Sequence, residues 1–148
     1  MIMKKSALFL ALTLAVSASA QKLTSKDTYV HLNASTPVED IDAVLTNAVG
    51  ILNTETNEAV WQLQIQSFTF KRALMQEHFN ENYMESETYP KATLKAKIEG
   101  VKDWKKPATY KGGIKGSMEI HGVAKDMSIP VTITVNKDGS VTIESEFS

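Results

Sequence analysis

Residues 131–144 read Val-Thr-Ile-Thr-Val-Asn-Lys-Asp-Gly-Ser-Val-Thr-Ile-Glu. Apolar side chains alternate with polar ones on both sides of residues 136–139, which is the pattern of strands with one buried and one wet face. The Asp138-Gly139 pair is a strong hairpin signal. The stretch therefore predicts an antiparallel hairpin.

The same alternation occurs in three further stretches, at residues 59–65, 94–99 and 114–120. Weaker strands are predicted at residues 28–33 and 50–53. The apolar sides of the clear strands carry Trp61, Leu63, Ile65, Leu94, Ala96, Ile98, Ile114, Gly116, Met118, Ile120, Val131, Ile133, Val141 and Ile143.

Residues 71–83 break this pattern, because Met75, Phe79 and Tyr83 repeat every four residues. That spacing predicts an amphipathic helix of about three turns. A second, shorter helix is predicted over residues 39–48, where the apolar residues fall on one helical face. Pro90 disfavours helix at the preceding residue and lacks a backbone donor, so the next strand is expected to begin there.

Several one-sided antiparallel strands have to bury their apolar faces, and a barrel or a sandwich achieves this. Alternation alone leaves both architectures open. It also leaves open whether the inward residues fill a core or line a ligand cavity. The pattern predicts an all-β domain with one clear helix.

Composition restricts the function classes. The chain has 148 residues, which fits one domain, and 16 basic against 17 acidic side chains. With a net charge of −1 the protein has no overall positive potential that would attract nucleic acid. The absence of cysteine excludes disulfides, thiolate metal sites and thiol catalysis.

The first twenty residues have the organisation of a secretory signal peptide. Lys4 and Lys5 precede an apolar run at residues 7–16, and a small-residue cleavage pattern ends at Ala20. The run is shorter than the ~20 residues of a membrane-spanning helix, and no such stretch follows. We therefore expect a signal at residues 1–20, a mature domain at residues 21–148, and a periplasmic or secreted protein.

No motif for catalysis, metal or a cofactor stands out. His31, His78 and His121 have no metal-ligand spacing, and the glycine-rich residues 112–117 match neither a serine-nucleophile turn nor a phosphate loop. His121 before Gly122 is expected to stabilise a turn. Trp104, among three lysines, is expected to anchor a loop. We predict no enzyme activity, no cofactor and no metal.

Four segments resemble one family of bacterial exported proteins. They are residues 68–70 (Phe-Thr-Phe), 75–84 (Met-Gln-Glu-His-Phe-Asn-Glu-Asn-Tyr-Met), 89–93 (Tyr-Pro-Lys-Ala-Thr) and 118–125 (Met-Glu-Ile-His-Gly-Val-Ala-Lys). In order and approximate spacing they are similar to the YceI-like family, over a range from about Thr24 to the C-terminus. Leu94 and Ala124 depart from the usual aromatic residue and threonine, which affects local cavity shape.

The resemblance implies a lipocalin-like antiparallel β-barrel with the amphipathic helix over its mouth. It also implies a binding protein for a polyisoprenoid or other amphiphilic or fatty lipid, rather than an enzyme. The alternative is a solid-cored protein-interaction module without a ligand. The expected ligand-binding residues are Leu63, Ile65, Met75, Phe79, Leu94, Ile98, Ile114, Met118, Ile120, Val131, Ile133, Val141 and Ile143.

The family pattern continues beyond the strand that residues 141–144 begin. We therefore expect a domain that is incomplete at its C-terminus. An unpaired strand edge there would invite pairing with another chain, such as a homodimer partner.

Overall fold

The computed structural model describes residues 21–25, 27–35 and 37–146; the predicted signal peptide lies outside them. One α-helix, α1 (Ala73–His78), is continued by a π-helical turn (Phe79–Tyr83), and a short 3-10 turn covers Ile65–Ser67. The strands are β1 (Lys22–Thr24), β2 (Val30–Ser35), β3 (Asp40–Leu45), β4 (Val49–Asn53), β5 (Glu58–Gln64), β6 (Thr69–Phe70), β7 (Lys91–Glu99), β8 (Ala108–Ile120), β9 (Val123–Val135) and β10 (Val141–Glu144).

The strands form two antiparallel sheets. The larger has the order β1-β4-β5-β7-β8-β9-β10 and the smaller has the order β2-β3-β6. Together they make a nearly closed barrel, which confirms the predicted all-β, lipocalin-like class. No helix in the described part of the chain is long and apolar enough to cross a bilayer.

The clear alternating stretches became β5, β7, β8, β9 and β10, and the two weaker strands are β2 and β4. The hairpin predicted from residues 131–144 is confirmed, because Val141 pairs with Val135 and Ile143 with Ile133. The turn between β8 and β9 consists of His121 and Gly122, both with positive φ angles (52° and 69°). Two left-handed residues are what a tight turn between twisted strands requires.

The helix predicted over residues 39–48 is wrong, because β3 occupies residues 40–45. All six residues of β3 pair with β2, and Ala43 and Val44 also pair with β6. In this extended form Ala43 and Leu45 are buried. In so short a segment the apolar residues fit the period of a helix as well as that of a strand. Strand partners on both sides of β3 favour the extended form.

The helix predicted over residues 71–83 is present but changes its pitch after His78. The side-chain amide of Asn80 donates to the carbonyl of Gln76 at 3.0 Å, and the backbone N–H of Met84 reaches the carbonyl of Phe79 at 2.9 Å. The wider turn places Met84 against the core, whereas Tyr83 is 52% exposed. The prediction that Tyr83 shares the buried face is therefore wrong.

The register defines two ends of the barrel. We call the end with α1, its π-helical turn and the turn at residues 121–122 the helix end. The loop end carries the connections at residues 54–57, 100–107 and 136–140. At the loop end, the indole Nε1 of Trp104 donates to Oδ1 of Asn57 at 2.7 Å, which confirms that Trp104 anchors its loop.

Candidate functional site

The inner face of the larger sheet is built from rows of side chains that run across the strands. Directly paired residues of antiparallel strands point to the same face. One bulky row is Trp61, Leu94 and Met118, and another is Ile98, Ile114 and Ile129. Between them, Ala59, Ala96 and Gly116 form a row of small residues. The inner face therefore carries a row of small residues between two bulkier apolar rows, and in that row Ala59 is buried whereas Ala96 is partly accessible.

Trp61 lies flat over the neighbouring strand because its partner there is Gly50. A Cβ atom at Gly50 would lie 2.5 Å from Nε1 of Trp61, too close for any side chain. The glycine thus allows a large aromatic ring to cover β4. Trp61 remains only partly buried and packs on the cluster that includes Leu52 and Leu94.

The predicted lining residues divide into two apolar clusters. Ile65, Met75 and Phe79 belong to a cluster at the helix end, on which Leu63 also packs. The cluster of the larger sheet contains the other predicted residues except Ile120, namely Leu94, Ile98, Ile114, Met118, Val131, Ile133, Val141 and Ile143.

Accessibility separates these residues further. Ile133 is 0% exposed and Phe79 is 4% exposed, so both are enclosed by other side chains. Leu63, Met118, Val141 and Ile143 are only partly buried. Ile120 is 40% exposed, because it lies at the end of β8 beside the turn. The partly buried residues are the ones that an incoming apolar molecule can reach.

Three aromatic rings hold the helix end together. The Phe79 centroid lies 4.9 Å from that of Phe70 and 5.7 Å from that of Phe68, the latter edge to face. Such pairs add to the free energy gained from burying the rings. Met75 is buried in the same cluster. Phe68 and Phe70 were absent from the predicted lining, although their two-residue spacing was a signal for one shared face.

Met127 and Ile129 are further inner-face residues that the sequence analysis missed. They continue the alternation of Val131 and Ile133 towards the N-terminal end of β9, and Ile129 is buried. The signal was present, but the strand was predicted to begin only at residue 131. Its true start at Val123 adds Met127 and Ile129 to the inner surface that β9 supplies.

The polar groups of the described chain lie mainly outside this interior, and Ser86 is the sole polar side chain classed as buried there. On the smaller sheet, Nε2 of His31 lies 2.6 Å from Oδ1 of Asp42, and Nζ of Lys71 lies 3.6 Å from Oδ2. The hydrogen bond from His31, with help from the Lys71 charge, lowers the pKa of Asp42.

His121 stabilises its turn, as predicted, by binding the Glu85 carboxylate. The Tyr89 ring packs edge to face on the imidazole at a centroid distance of 4.8 Å. Across residues 21–25, 27–35 and 37–146, no three His, Cys, Asp or Glu side chains are grouped in a way that could hold a metal ion.

A sequence profile of the YceI-like domain matches residues 15–148. The chain belongs to the YceI-like family. This confirms the resemblance drawn from the four segments between residues 68 and 125. No protein with a curated description matches the chain significantly.

Solved structures resemble this YceI-like chain at low sequence identity. One is a polyisoprenoid binding domain from Saccharophagus degradans implicated in plant cell wall breakdown, with 12% identity, a TM-score of 0.57, and coverage of 72% of this chain and 62% of that chain. This likeness shows a shared fold. The YceI-like chain thus spans less than two thirds of that domain.

Two further structures match with TM-scores of 0.44. Burkholderia cenocepacia BcnA is 17% identical, with 74% of this chain and 57% of that chain covered. A Campylobacter jejuni YceI protein is 19% identical, with 95% of this chain and 77% of that chain covered.

Proposed function

We propose that this YceI-like protein binds an isoprenoid-like or other amphiphilic lipid chain on the inner face of its larger sheet and carries it as a non-enzymatic binding protein. The observation that carries the proposal is the apolar inner wall that stays partly accessible at Trp61, Met118, Val141 and Ile143. The family and the polyisoprenoid binding domain with the same fold support this ligand class.

The driving force is removal of apolar surface from water, about 0.8 kcal/mol for each buried CH₂ group of the ligand. Within the row of small residues, the partly accessible Ala96 and Gly116 are where a chain would meet the least steric obstruction. Since the interior side chains of the described residues are apolar apart from Ser86 and the buried Oδ1 of Asn80, selection would rest on the width and length of the ligand. A polar headgroup would have to stay at an end of the barrel.

We also propose that the protein works after export, in the periplasm or outside the cell. The order of charged, apolar and small residues in positions 1–20 supports this. Sequencing the N-terminus of the protein recovered from its host tests it. A mature chain that begins at Gln21 is expected, and an intact Met1 in active protein would contradict export by this signal.

Native mass spectrometry of the protein from its own host, followed by organic extraction, tests the lipid proposal. We expect a stoichiometric hydrophobic mass that is released on denaturation. The Met118→Lys variant should lose this mass, because it places a charge on the accessible inner face. The control is Glu119→Lys, which places a lysine on the exposed neighbouring residue and changes the net charge by even more. A folded Met118→Lys protein that keeps its lipid would exclude this wall as the binding site.

A second candidate function, protein interaction, is favoured by an apolar patch on the outer face. Ile51 and Val60 are direct cross-strand partners, and both are exposed, as is Val49 on the same strand as Ile51. The occupant would be a protein, including a second copy of this chain. An empty protein that takes up no added isoprenoid or fatty acid, and that self-associates in analytical ultracentrifugation, would favour this function over the first.

A further inference from the structure

Lys125 breaks the apolar pattern of the inner face. It pairs directly with Met118 across β8 and β9, so the two side chains point to the same side of the sheet. Met118 pairs in turn with Leu94, and Leu94 pairs with Trp61. The bulky row of Trp61, Leu94 and Met118 therefore ends on a lysine. Every other inner-face position in the paired strands of the larger sheet holds an uncharged residue.

The other lysines of these strands point outward. Lys95 pairs with Ser117, and Lys97 pairs with Lys115, all four on the outer face of the sheet. Lys115 also binds the outward carboxylate of Glu99, at 3.0 Å. A lysine at an inner-face position is thus an exception in this sheet, and the exception needs a chemical reason.

Lys125 has no carboxylate partner in the described part of the chain. It is exposed and makes no ion pair there. The neighbouring carboxylates in the register, Glu119 and Asp126, lie on the outer face, because they pair with Ala124 and Ser117. A lysine ammonium is a compact charge with three hydrogen-bond donors. Lys125 can therefore offer its full charge to an anionic group at the inner face.

The reachable part of the apolar wall lies beside this lysine. Ala96 and Gly116 are partly accessible, and Gly116 pairs with Met127, which is partly accessible as well. Met127 and Lys125 are two residues apart on β9, a separation of about 7 Å. Among the described strands, β9 has only β8 as a partner here, because β10 pairs with residues 132–135. An apolar chain on the row of small residues would thus have one end close to Lys125.

We infer that Lys125 binds the headgroup of a single-chain amphiphile whose head is anionic, a carboxylate or a phosphate. The inference rests on the proposed function and adds selection by charge to selection by width and length. The apolar chain of the ligand lies at Ala96, Gly116 and Met118, and the head stays at the helix end, near the turn at residues 121–122. A charge-assisted hydrogen bond from Lys125 holds the head there without burying an unpaired charge.

Isothermal titration calorimetry with two matched pairs of probes tests the inference. Oleate is compared with oleyl alcohol, and farnesyl phosphate is compared with farnesol, so the members of a pair share a chain and differ in the charge of the head. We expect the unaltered protein to bind the anionic member of at least one pair roughly threefold to tenfold more tightly. The pair that shows this preference distinguishes a fatty acid from an isoprenoid phosphate.

Lys125→Gln should remove the preference for the anionic probe. Lys125→Arg should keep most of it, because arginine retains the charge and the donors. The control is Lys95→Gln, which removes an equal charge from an exposed outward position and should leave the preference unchanged. A preference that survives in a folded Lys125→Gln protein would overturn the inference.

Self-association of the same variant provides a second check. Inward-pointing charges can also keep an open strand edge from pairing with another chain. If Lys125→Gln self-associates in analytical ultracentrifugation but still prefers the anionic probes, Lys125 protects the edge of β9 and the headgroup site is overturned.

Binding of the neutral probes separates this inference from the proposed function. A protein that binds both members of each pair equally overturns the role of Lys125 and leaves the carrier function standing. A protein that binds none of the four probes, and that releases no lipid when purified from its host, overturns the carrier function and the headgroup site with it.

Discussion

The imidazole Nε2 of His121 lies 2.7 Å from Oε2 of Glu85. The contact joins the β8–β9 turn to the segment that follows the π-helical turn, although the two residues are 36 positions apart. Both have a positive φ angle, 52° for His121 and 44° for Glu85. Because the pair is partly exposed, its direct contribution to stability is expected to be at most about 1 kcal/mol. Its main effect is to fix where the turn lies relative to Tyr89.

Gly122→Ala should therefore destabilise the fold strongly. Its φ is 69°, and a Cβ atom there would lie 2.7 Å from Cε1 of Tyr89. Gly139→Ala is the matched control, because its φ is 83° but no atom lies within 4 Å of the Cβ position. In urea unfolding, we expect the free energy of unfolding to fall by about 1 kcal/mol for the control and by about 2–4 kcal/mol for Gly122→Ala. Equal costs would mean that contact with Tyr89 does not restrict the turn.

Because the helix changes its pitch after His78, replacing Phe79 or Tyr83 by alanine should lower the free energy of unfolding by very different amounts. Phe79→Ala should lower the free energy of unfolding by about 3–5 kcal/mol, because Phe79 is enclosed by Phe68 and Phe70. Tyr83→Ala should change it by no more than about 0.5 kcal/mol, because Tyr83 lies on the surface. Chemical denaturation measures both, and a large loss for Tyr83→Ala would instead support a regular α-helix through residue 83.

Ala96→Leu should place a bulky side chain in the row of small residues on the inner face. We expect lipid retention to fall roughly tenfold to a hundredfold, since the added atoms displace several CH₂ groups of ligand. Lys97→Leu is the control: it adds a leucine at the next, outward-facing position of β7. Retention is measured by extraction after dilution, alongside the thermal midpoint. Unchanged retention in a folded Ala96→Leu protein would place the ligand elsewhere.

Asp42 predicts an acid-sensitive contribution to stability. Because the bond from His31 lowers the pKa of Asp42 below its ordinary value of 3.8, the folded state binds fewer protons on this group than the unfolded chain. The stabilisation is present above about pH 4 and is lost as the pH falls through the folded-state pKa.

The thermal midpoint of the unaltered protein should thus approach that of Asp42→Asn as the pH falls below about 4. The control is Asp126→Asn, an exposed carboxylate on β9. If the gap between the unaltered protein and Asp42→Asn has the same size at every pH, the His31–Asp42 contact makes no acid-dependent contribution.

The sequence predicted most of the larger sheet because its strands have one wet face, so polarity marks every second residue. Alternation failed at β3, since six residues with scattered apolar positions fit a helix equally well until β2 and β6 are known as partners. The π-helical turn depends on a side-chain bond from Asn80 to a backbone carbonyl. No periodicity reports such a bond.

The sequence predicted one continuous set of lining residues. In the structure this set divides into enclosed and partly accessible residues, and the pairing register of the strands determines which residue falls in which group. Periodicity places Ile133 and Met118 on the same face, yet only the pairing of β8 with its neighbours makes the first inaccessible and the second reachable. The row of small residues formed by Ala59, Ala96 and Gly116 likewise exists only once three strands are aligned. Single-sequence patterns carry no information on that alignment.

The placement of the two tryptophans gives the molecule two optical reporters at different heights of the barrel. Trp61 lies in the apolar wall, and Trp104 is bonded to Asn57 at the loop end. Indole emission responds to the polarity around the ring, so a Trp104→Phe protein reports on the wall at Trp61, and a Trp61→Phe protein reports on the loop end, where Trp104 also packs on the apolar cluster. Occupation of the inner wall and rearrangement of the loop end can then be compared in real time and without an attached dye.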